Sequence, residues 1–137
     1  MTLLIDTNIL LDIVFKRANC EKAKKLFSLA RKKDIAAVIT ASAVTDLFYI
    51  IRKSTHDIGN TYDIMENIFK LVNVLSVTDK DIQSAFSRKW EDFEDCVQYT
   101  TAKHNDVDYL ITANAPDFED KELPIISVEE GIALLEN

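Results

Sequence analysis

Leu3-Leu4-Ile5-Asp6-Thr7-Asn8 opens the chain with three consecutive apolar residues, an acid, and then a helix start. A short apolar run ended by a polar residue reads as a buried strand, and the helix that follows covers residues 8–15. The same alternation continues outward from this point. Ile35-Ala36-Ala37-Val38-Ile39-Thr40 predicts a second strand, residues 73–77 a third, 109–112 a fourth and 124–127 a short last one. Between them, residues 20–33 place Ala23, Leu26, Phe27 and Ala30 at helical spacing. A helix over 42–53, capped by Ser42, aligns Val44, Leu47, Phe48 and Ile51. Another over 57–71 uses Tyr62, Met65, Ile68 and Phe69, and Thr78 or Asp79 caps one reaching residue 89. Residues 92–105 form a further helix, and Ser127-Val128-Glu129-Glu130 fits a capping box that introduces a terminal helix to residue 135. Strands alternating with helices predict an α/β fold, a three-layer α/β/α sandwich around a mostly parallel sheet of four or five strands.

With 137 residues and no repeat, linker or composition break, residues 1–137 are expected to form one domain. Apolar residues at 47% supply a core, and only two glycines and two prolines argue against a turn-rich β-sandwich or low-complexity disorder. No apolar run is long enough to span a membrane, and Met1-Thr2-Leu3-Leu4-Ile5-Asp6 has no basic leader region, so a cytoplasmic protein is expected. Cys20 and Cys96 stand far apart with no Cys or His at zinc-ligand spacing, and are read as reduced, buried thiols. The net charge of −7 is uneven: residues 1–53 hold ten Lys/Arg against five Asp/Glu, and the remainder six against eighteen. Lys22, Lys24, Lys25, Arg31, Lys32 and Lys33 form either a phosphate-facing helix surface or simply a solvated one.

In parallel α/β sheets, sites form beyond the carboxyl ends of the strands. Asp6 directly follows the first strand, where an aspartate also serves as an ordinary helix cap. Asp46 stands about one turn into the helix after the second strand, at a position that a solvated acid would also occupy. The helix before a parallel strand runs antiparallel to it, so Asp92 and Asp95 in Asp92-Phe93-Glu94-Asp95-Cys96 return to the same edge. There they either contribute to a site, or Asp92 caps the helix while Glu94 and Asp95 complement its dipole. Thr112-Ala113-Asn114-Ala115-Pro116-Asp117-Phe118 follows the fourth strand, as site residues or as plain turn chemistry. Asp6, Asp46, Asp95 and either Asn114 or Asp117 are remote in sequence, yet the topology carries all of them to one edge. Carboxylates gathered this way repel one another, and a hard divalent cation removes that cost. An oxygen-rich set without His or Cys suits Mg²⁺ or Mn²⁺. His56 and His104 have no partners at ligand spacing, and there is no glycine-rich phosphate loop.

Leu4-Ile5-Asp6-Thr7-Asn8-Ile9-Leu10-Leu11-Asp12 resembles the opening of the PIN domain family of metal-dependent nucleases. Asp92-Phe93-Glu94-Asp95-Cys96-Val97-Gln98 resembles the DFEDALQ segment of its VapC-like branch, and Asp108-Tyr109-Leu110-Ile111-Thr112-Ala113-Asn114-Ala115-Pro116-Asp117-Phe118 resembles the DYIVTRNxxDF segment. Thr40-Ala41-Ser42-Ala43-Val44-Thr45-Asp46 stands where that family carries its second acid, often a glutamate. Two departures matter. Ala113 replaces the usual arginine, removing a positive contact to substrate, and Asp46 is one methylene shorter than glutamate.

The resemblance implies a Mg²⁺- or Mn²⁺-dependent endoribonuclease, the toxin of a type II toxin–antitoxin pair. Asp6, Asp46, Asp95 and Asp117 would be its catalytic metal ligands, with Asp92 as an outer ligand. Thr7, Asn8, Thr112 and Asn114 would hydrogen-bond the carboxylates or a phosphate oxygen. It also implies a small antitoxin partner and a homodimer, for which Phe27, Ile58 and Tyr62 supply either interface or core. Two other classes stay open. One is a catalytically inactive RNA-binding or interaction module with the same fold, favoured by Ala113 and Asn114. The other is a small-molecule phosphohydrolase, against which Asn8 stands where the second acid of an Asp-x-Asp-x-Thr phospho-acceptor motif belongs.

Overall fold

Alternation within the strands sets the layering. In the computed structural model, which describes residues 1–137, strand β1 (Thr2–Ile5) turns Leu3 and Ile5 to one face of the sheet and Leu4 to the other. Side chains on a strand alternate sides, so each strand buried on both faces feeds two cores. β2 (Ala36–Thr40) divides likewise, Ala37 and Ile39 on the first face and Val38 on the second. β3 (Asn73–Leu75), β4 (Tyr109–Ile111) and β5 (Ile125–Ile126) complete a sheet in the order β3-β2-β1-β4-β5, with every pair parallel. The expected mostly parallel sheet is therefore wholly parallel.

Helices α1 (Thr7–Val14), α2 (Cys20–Lys32), α3 (Ala41–Thr55), α4 (Ile58–Leu71) and α7 (Val128–Glu136) contribute to the larger core, over Leu3, Ile5, Ile39 and Ile111. On the opposite face α6 (Phe93–His104) brings Tyr99 and Ala102 against Leu4, Val38 and Leu110, and α5 (Asp79–Arg88) packs antiparallel beside it. No helix is long and apolar enough to cross a membrane. Cys20 and Cys96 are buried free thiols, as expected.

The caps explain most of the helix starts. Ser127 and Glu130 form the expected capping box, and Thr78 forms a second one with Asp81. Ser42, however, does not cap α3. The cap stands two residues earlier, because the Thr40 hydroxyl accepts the Ala43 N–H at 3.3 Å, and Ser42 instead shares a 2.8 Å hydroxyl hydrogen bond with Thr40. β3 stops at Leu75, the residue paired with Thr40 at the end of β2. Tyr62 and Phe69, expected on the apolar face of α4, point outward, while Thr61, Met65 and Ile68 are buried. Phe27 is core; Ile58 and Tyr62 are exposed.

Half of the six basic side chains on the α2 face are ion-paired within the fold. Lys22 and Lys25 pair with Glu129 and Glu136 of α7, Lys24 pairs with Glu21, and Lys33 donates to the Asn137 carbonyl. Of the two alternatives for that face, the solvated, ion-paired surface fits this arrangement better than a phosphate track.

Candidate active site

The strand order decides where a site can form. The chain builds β1, β2 and β3 in one direction, then crosses back and sets β4 on the other side of β1. That reversal leaves a crevice beyond the carboxyl ends of β1 and β4, the position where open α/β sheets bind ligands. Asp6 is the first residue past β1 and Thr112 the first past β4. The Asp6 backbone N–H donates to the Ile111 carbonyl at 3.0 Å, so the two strand ends are stitched together at the crevice floor.

Asp6 occupies the N-cap position of α1, yet its carboxylate makes no capping bond to that helix. It turns into the crevice instead, where the Thr112 hydroxyl donates to Oδ2 at 2.7 Å and itself accepts the Asn114 N–H at 3.0 Å. Asp6 is 4% exposed. Burial raises its pKa against the opposing pull of Thr112, Gln98 and the Thr7 N–H.

Helix α6 arrives at the same edge with its N-terminus, as its antiparallel course requires. Asp92 caps it, accepting the Asp95 N–H at 3.0 Å, so the capping expectation for Asp92 holds while its charge also acts on Asp6 and Asp95. The Asp95 carboxyl is pushed up to about 7, first by burial and then by the charges of Asp6, Asp92 and Asp117. Asp117 reaches this group from the single 3₁₀ turn Ala115–Asp117. That turn sits in a segment pinned by a 3.0 Å Arg88–Asp120 ion pair, by Lys121 on the Ala115 carbonyl, and by the Tyr99 hydroxyl accepting the Leu123 N–H. Asn114 is exposed and offers its backbone N–H; its amide makes no hydrogen bond. Between the two candidates for the fourth position, Asp117 is the one whose charge acts on the cluster.

Asp46 is brought to the same edge by a different route. Its pKa is raised by burial and eased by a hydrogen bond with Glu94, whose own pKa is raised by burial and by the charges of Asp46 and Asp92. Glu94 thus links Asp46 to the Asp6–Asp95 group. Glu94, expected only to complement the helix dipole, takes this further role; its place in the first turn of α6, one residue from Asp95, is the signal for it. The nearby Thr7 N–H draws the Asp6 pKa down, while Asn8 is exposed and its side chain makes no hydrogen bond. His104 is satisfied by an ion pair with Asp81, and His56 ends α3 in a left-handed conformation, so neither belongs to the site.

No Lys or Arg forms an ion pair with Asp6, Asp46, Asp92, Glu94, Asp95 or Asp117. No three acidic, His or Cys side chains close on one point at metal-ligand spacing. In chemistry the donors fit a hard divalent cation: all are oxygens, and the mutual repulsion that raises Asp95 and Glu94 is the cost such an ion would remove.

The same sheet and helix order recurs among solved structures. VapBC-1 from nontypeable Haemophilus influenzae matches over 94% of this chain and 99% of its own, with a TM-score of 0.73 and 16% identity. The DNA-bound VapBC from Salmonella typhimurium matches over 93% and 98%, with a TM-score of 0.70 and 17% identity. Mycobacterium tuberculosis VapC20, described as a sarcin-ricin loop cleaving toxin, matches over 79% and 86%, with a TM-score of 0.64 and 13% identity. At these identities the likeness is one of fold. No curated protein matches the chain by sequence. The PIN domain family model matches residues 2–115, a span that takes in Asp6, Asp46, Asp92, Asp95 and Thr112 and ends just before Asp117. With most of its length matched and its acids gathered at the carboxyl edge of a parallel sheet, the chain belongs to the PIN domain family.

Proposed function

We propose that the chain is a Mg²⁺- or Mn²⁺-dependent endoribonuclease that hydrolyses RNA phosphodiester bonds, and that it serves as the toxin of a type II toxin–antitoxin pair. The observation that carries this is the uncompensated group of Asp6, Asp92, Asp95 and Asp117 at the β1–β4 crevice, in a PIN domain. Asp6 and Asp95 would hold the cation, with Asp117 completing the set and Asp92 in an outer position. When bound, such an ion supplies Lewis acidity toward the scissile phosphate and lowers the pKa of the attacking water. Thr112 would fix the Asp6 carboxylate in direction, and the Thr7 N–H and Gln98 favour its ionised form against the larger effect of burial. Asp46, whose ionised form the Glu94 carboxyl favours by donating to it, would hold a second ion or accept a proton from the attacking water.

The experiment is RNA cleavage with Mg²⁺ or Mn²⁺, run beside turnover of para-nitrophenyl phosphate. Metal-dependent cutting of RNA alone is expected, and Asp6→Asn or Asp95→Asn should lower it by roughly a hundredfold or more. Cleavage that survives both substitutions overturns the assignment, and preferential turnover of the small ester favours the phosphohydrolase class. Ala113, in the place of the arginine, favours an inactive RNA-binding module as a second reading. RNA binding without cutting, together with no calorimetric uptake of Mn²⁺, would establish it.

Partners follow from the same reading. The relatives from Haemophilus influenzae and Salmonella typhimurium are VapBC assemblies, and α3 and α4 here expose Tyr49, Ile50, Ile58, Tyr62 and Phe69. An apolar surface of that kind suits a protein partner, which we assign as a small antitoxin. A homodimer is the companion expectation, and a monomer by size-exclusion chromatography at micromolar concentration would count against it.

A further inference from the structure

The carboxylate edge repels the polyanion it is read as cutting. None of its acids is paired with a Lys or Arg, so affinity for the strand on either side of the cut must come from uncharged surface or from a cation close by. One feature at that edge meets both needs. The α5–α6 hairpin brings the end of α5 to the start of α6, and there Phe86 and Phe93 stand edge to face, with ring centroids 6.5 Å apart and planes at 82°. Phe86 is 64% exposed and Phe93 43%. Phe93 is the residue between Asp92 and Glu94, so its ring leaves the same helical turn as the site carboxylates. Lys89 ends α5 in a left-handed conformation, makes no ion pair, and holds its Nζ 3.8 Å from the Phe86 ring centroid.

Aromatic faces left in water beside a nucleic-acid site have a definite chemical use. Every base presents a π-face, so stacking is tolerant of sequence and insensitive to the repulsion felt by phosphates. The lysine adds cation–π attraction and an unpaired positive charge that a phosphate can meet. Bases inside a duplex already have both faces covered, and only an unpaired nucleotide can use such a surface.

We propose that Phe86 and Phe93, with Lys89, form a stacking platform for an unpaired nucleotide flanking the scissile phosphate. This rests on the nuclease reading of the carboxylate edge. The test uses the full chain and a short 2′-O-methyl oligoribonucleotide carrying 2-aminopurine, which cannot be cut, so that binding is read apart from turnover. The wild-type protein should quench the 2-aminopurine and bind the single strand in preference to the same sequence as a duplex. Phe86→Ala with Phe93→Ala should weaken binding about five- to a hundredfold and abolish the quench. Tryptophan at both positions should restore both signals, and because the two rings are on the surface the alanine variant should keep its unfolding midpoint.

Unchanged binding by the double alanine variant, or equal affinity for duplex, overturns the platform. So does a double variant that turns a dimer into a monomer in sedimentation while binding the strand as before; that result assigns the face to a second copy of the chain. A wild type that stacks the probe but leaves the matching 2′-hydroxyl strand uncut in Mg²⁺ upholds the platform and sinks the nuclease reading. Full cutting with unchanged binding after both alanine substitutions does the reverse.

Discussion

The Thr112 hydroxyl donates to Oδ2 of Asp6 across 2.7 Å, joining the residue after β4 to the residue after β1 in a site where both are almost fully buried. A buried carboxylate needs its lone pairs met, and this bond sets the direction in which the remaining oxygen faces. Thr112→Val keeps the shape and removes the donor. The expected cost is about 1.5–3 kcal/mol of stability, because the partner left behind is a buried acid. RNA cleavage should fall roughly ten- to a hundredfold, as for other residues that orient a metal ligand. Urea unfolding and a cleavage assay read the two effects, and Thr112→Ser should recover both.

Asp95, pushed up to about 7, makes stability depend on pH in a definite sense. The folded chain keeps a proton that the unfolded chain releases near the ordinary aspartate value of about 3.9. Stability is therefore fullest below that value, falls as pH rises toward about 7, and has lost the whole contribution above it. Asp95→Asn should flatten this slope and leave the protein more stable than wild type at about pH 8, by on the order of 1 kcal/mol. Urea midpoints measured across that range check it; parallel slopes for the two proteins would count against the assignment.

Mn²⁺ addition probes the same carboxylates from the other side. Cation and proton compete for the site, so the rise in melting temperature caused by Mn²⁺ should be small near pH 5.5 and grow through about pH 7. Asp6→Asn should abolish the rise while leaving the metal-free melt cooperative. A metal effect independent of pH would place binding elsewhere.

Asp81 joins two helices. Its carboxylate accepts the Thr78 N–H at 2.9 Å in the capping box of α5 and is ion-paired with His104 at the end of α6. Burial works against its ionisation, but the Thr78 N–H and His104 outweigh it and hold the pKa below the usual value. The sign is the opposite of that for Asp95: its stabilisation is present above the ordinary aspartate range and is lost as pH falls through the lowered value. Asp81→Ala should cost about 1–2 kcal/mol near neutrality, and the difference from wild type should close in acid. Thermal melts at pH 7 and below pH 3 would show both.

Gly131 lets α7 lie close on the sheet. A Cβ there would stand 3.2 Å from Cδ1 of Leu26 and 3.3 Å from Cδ1 of Ile111, both in the core. Alanine gains about 1 kcal/mol of helix propensity but must displace two packed side chains at once, at about 1–3 kcal/mol. A net loss of about 1 kcal/mol is expected for Gly131→Ala in urea unfolding. A stabilised variant would mean that α7 shifts freely on its support.

Local patterns made much of this protein legible from residues alone. The apolar runs at 3–5 and 35–40, the cap at Thr78 and the capping box at Ser127 depend on neighbours within a turn or along one strand, and they fold as read. Segments as short as Asp6-Thr7-Asn8 and Asp92-Phe93-Glu94-Asp95 likewise pointed to an acidic edge, because the helix–strand alternation dictates which ends return to it.

What the tertiary structure alone decided depends on contacts between residues far apart in the chain. The strand order that sets β4 beside β1 brings Thr112 within hydrogen-bonding distance of Asp6, and nothing near either residue encodes that pairing. Glu94 meets Asp46, and Asp117 rather than Asn114 acts on Asp95, through the packing of α6 against α3 and the pinning of the 115–123 segment. Tyr62 and Phe69 look like core by composition and are exposed, since only the helix packed against α4 determines which side is covered. Lys22 and Lys25 of α2 find their partners on α7, a hundred residues away. Hydrophobic periodicity is a property of each segment by itself, whereas desolvation and charge pairing belong to whichever segments the fold sets side by side.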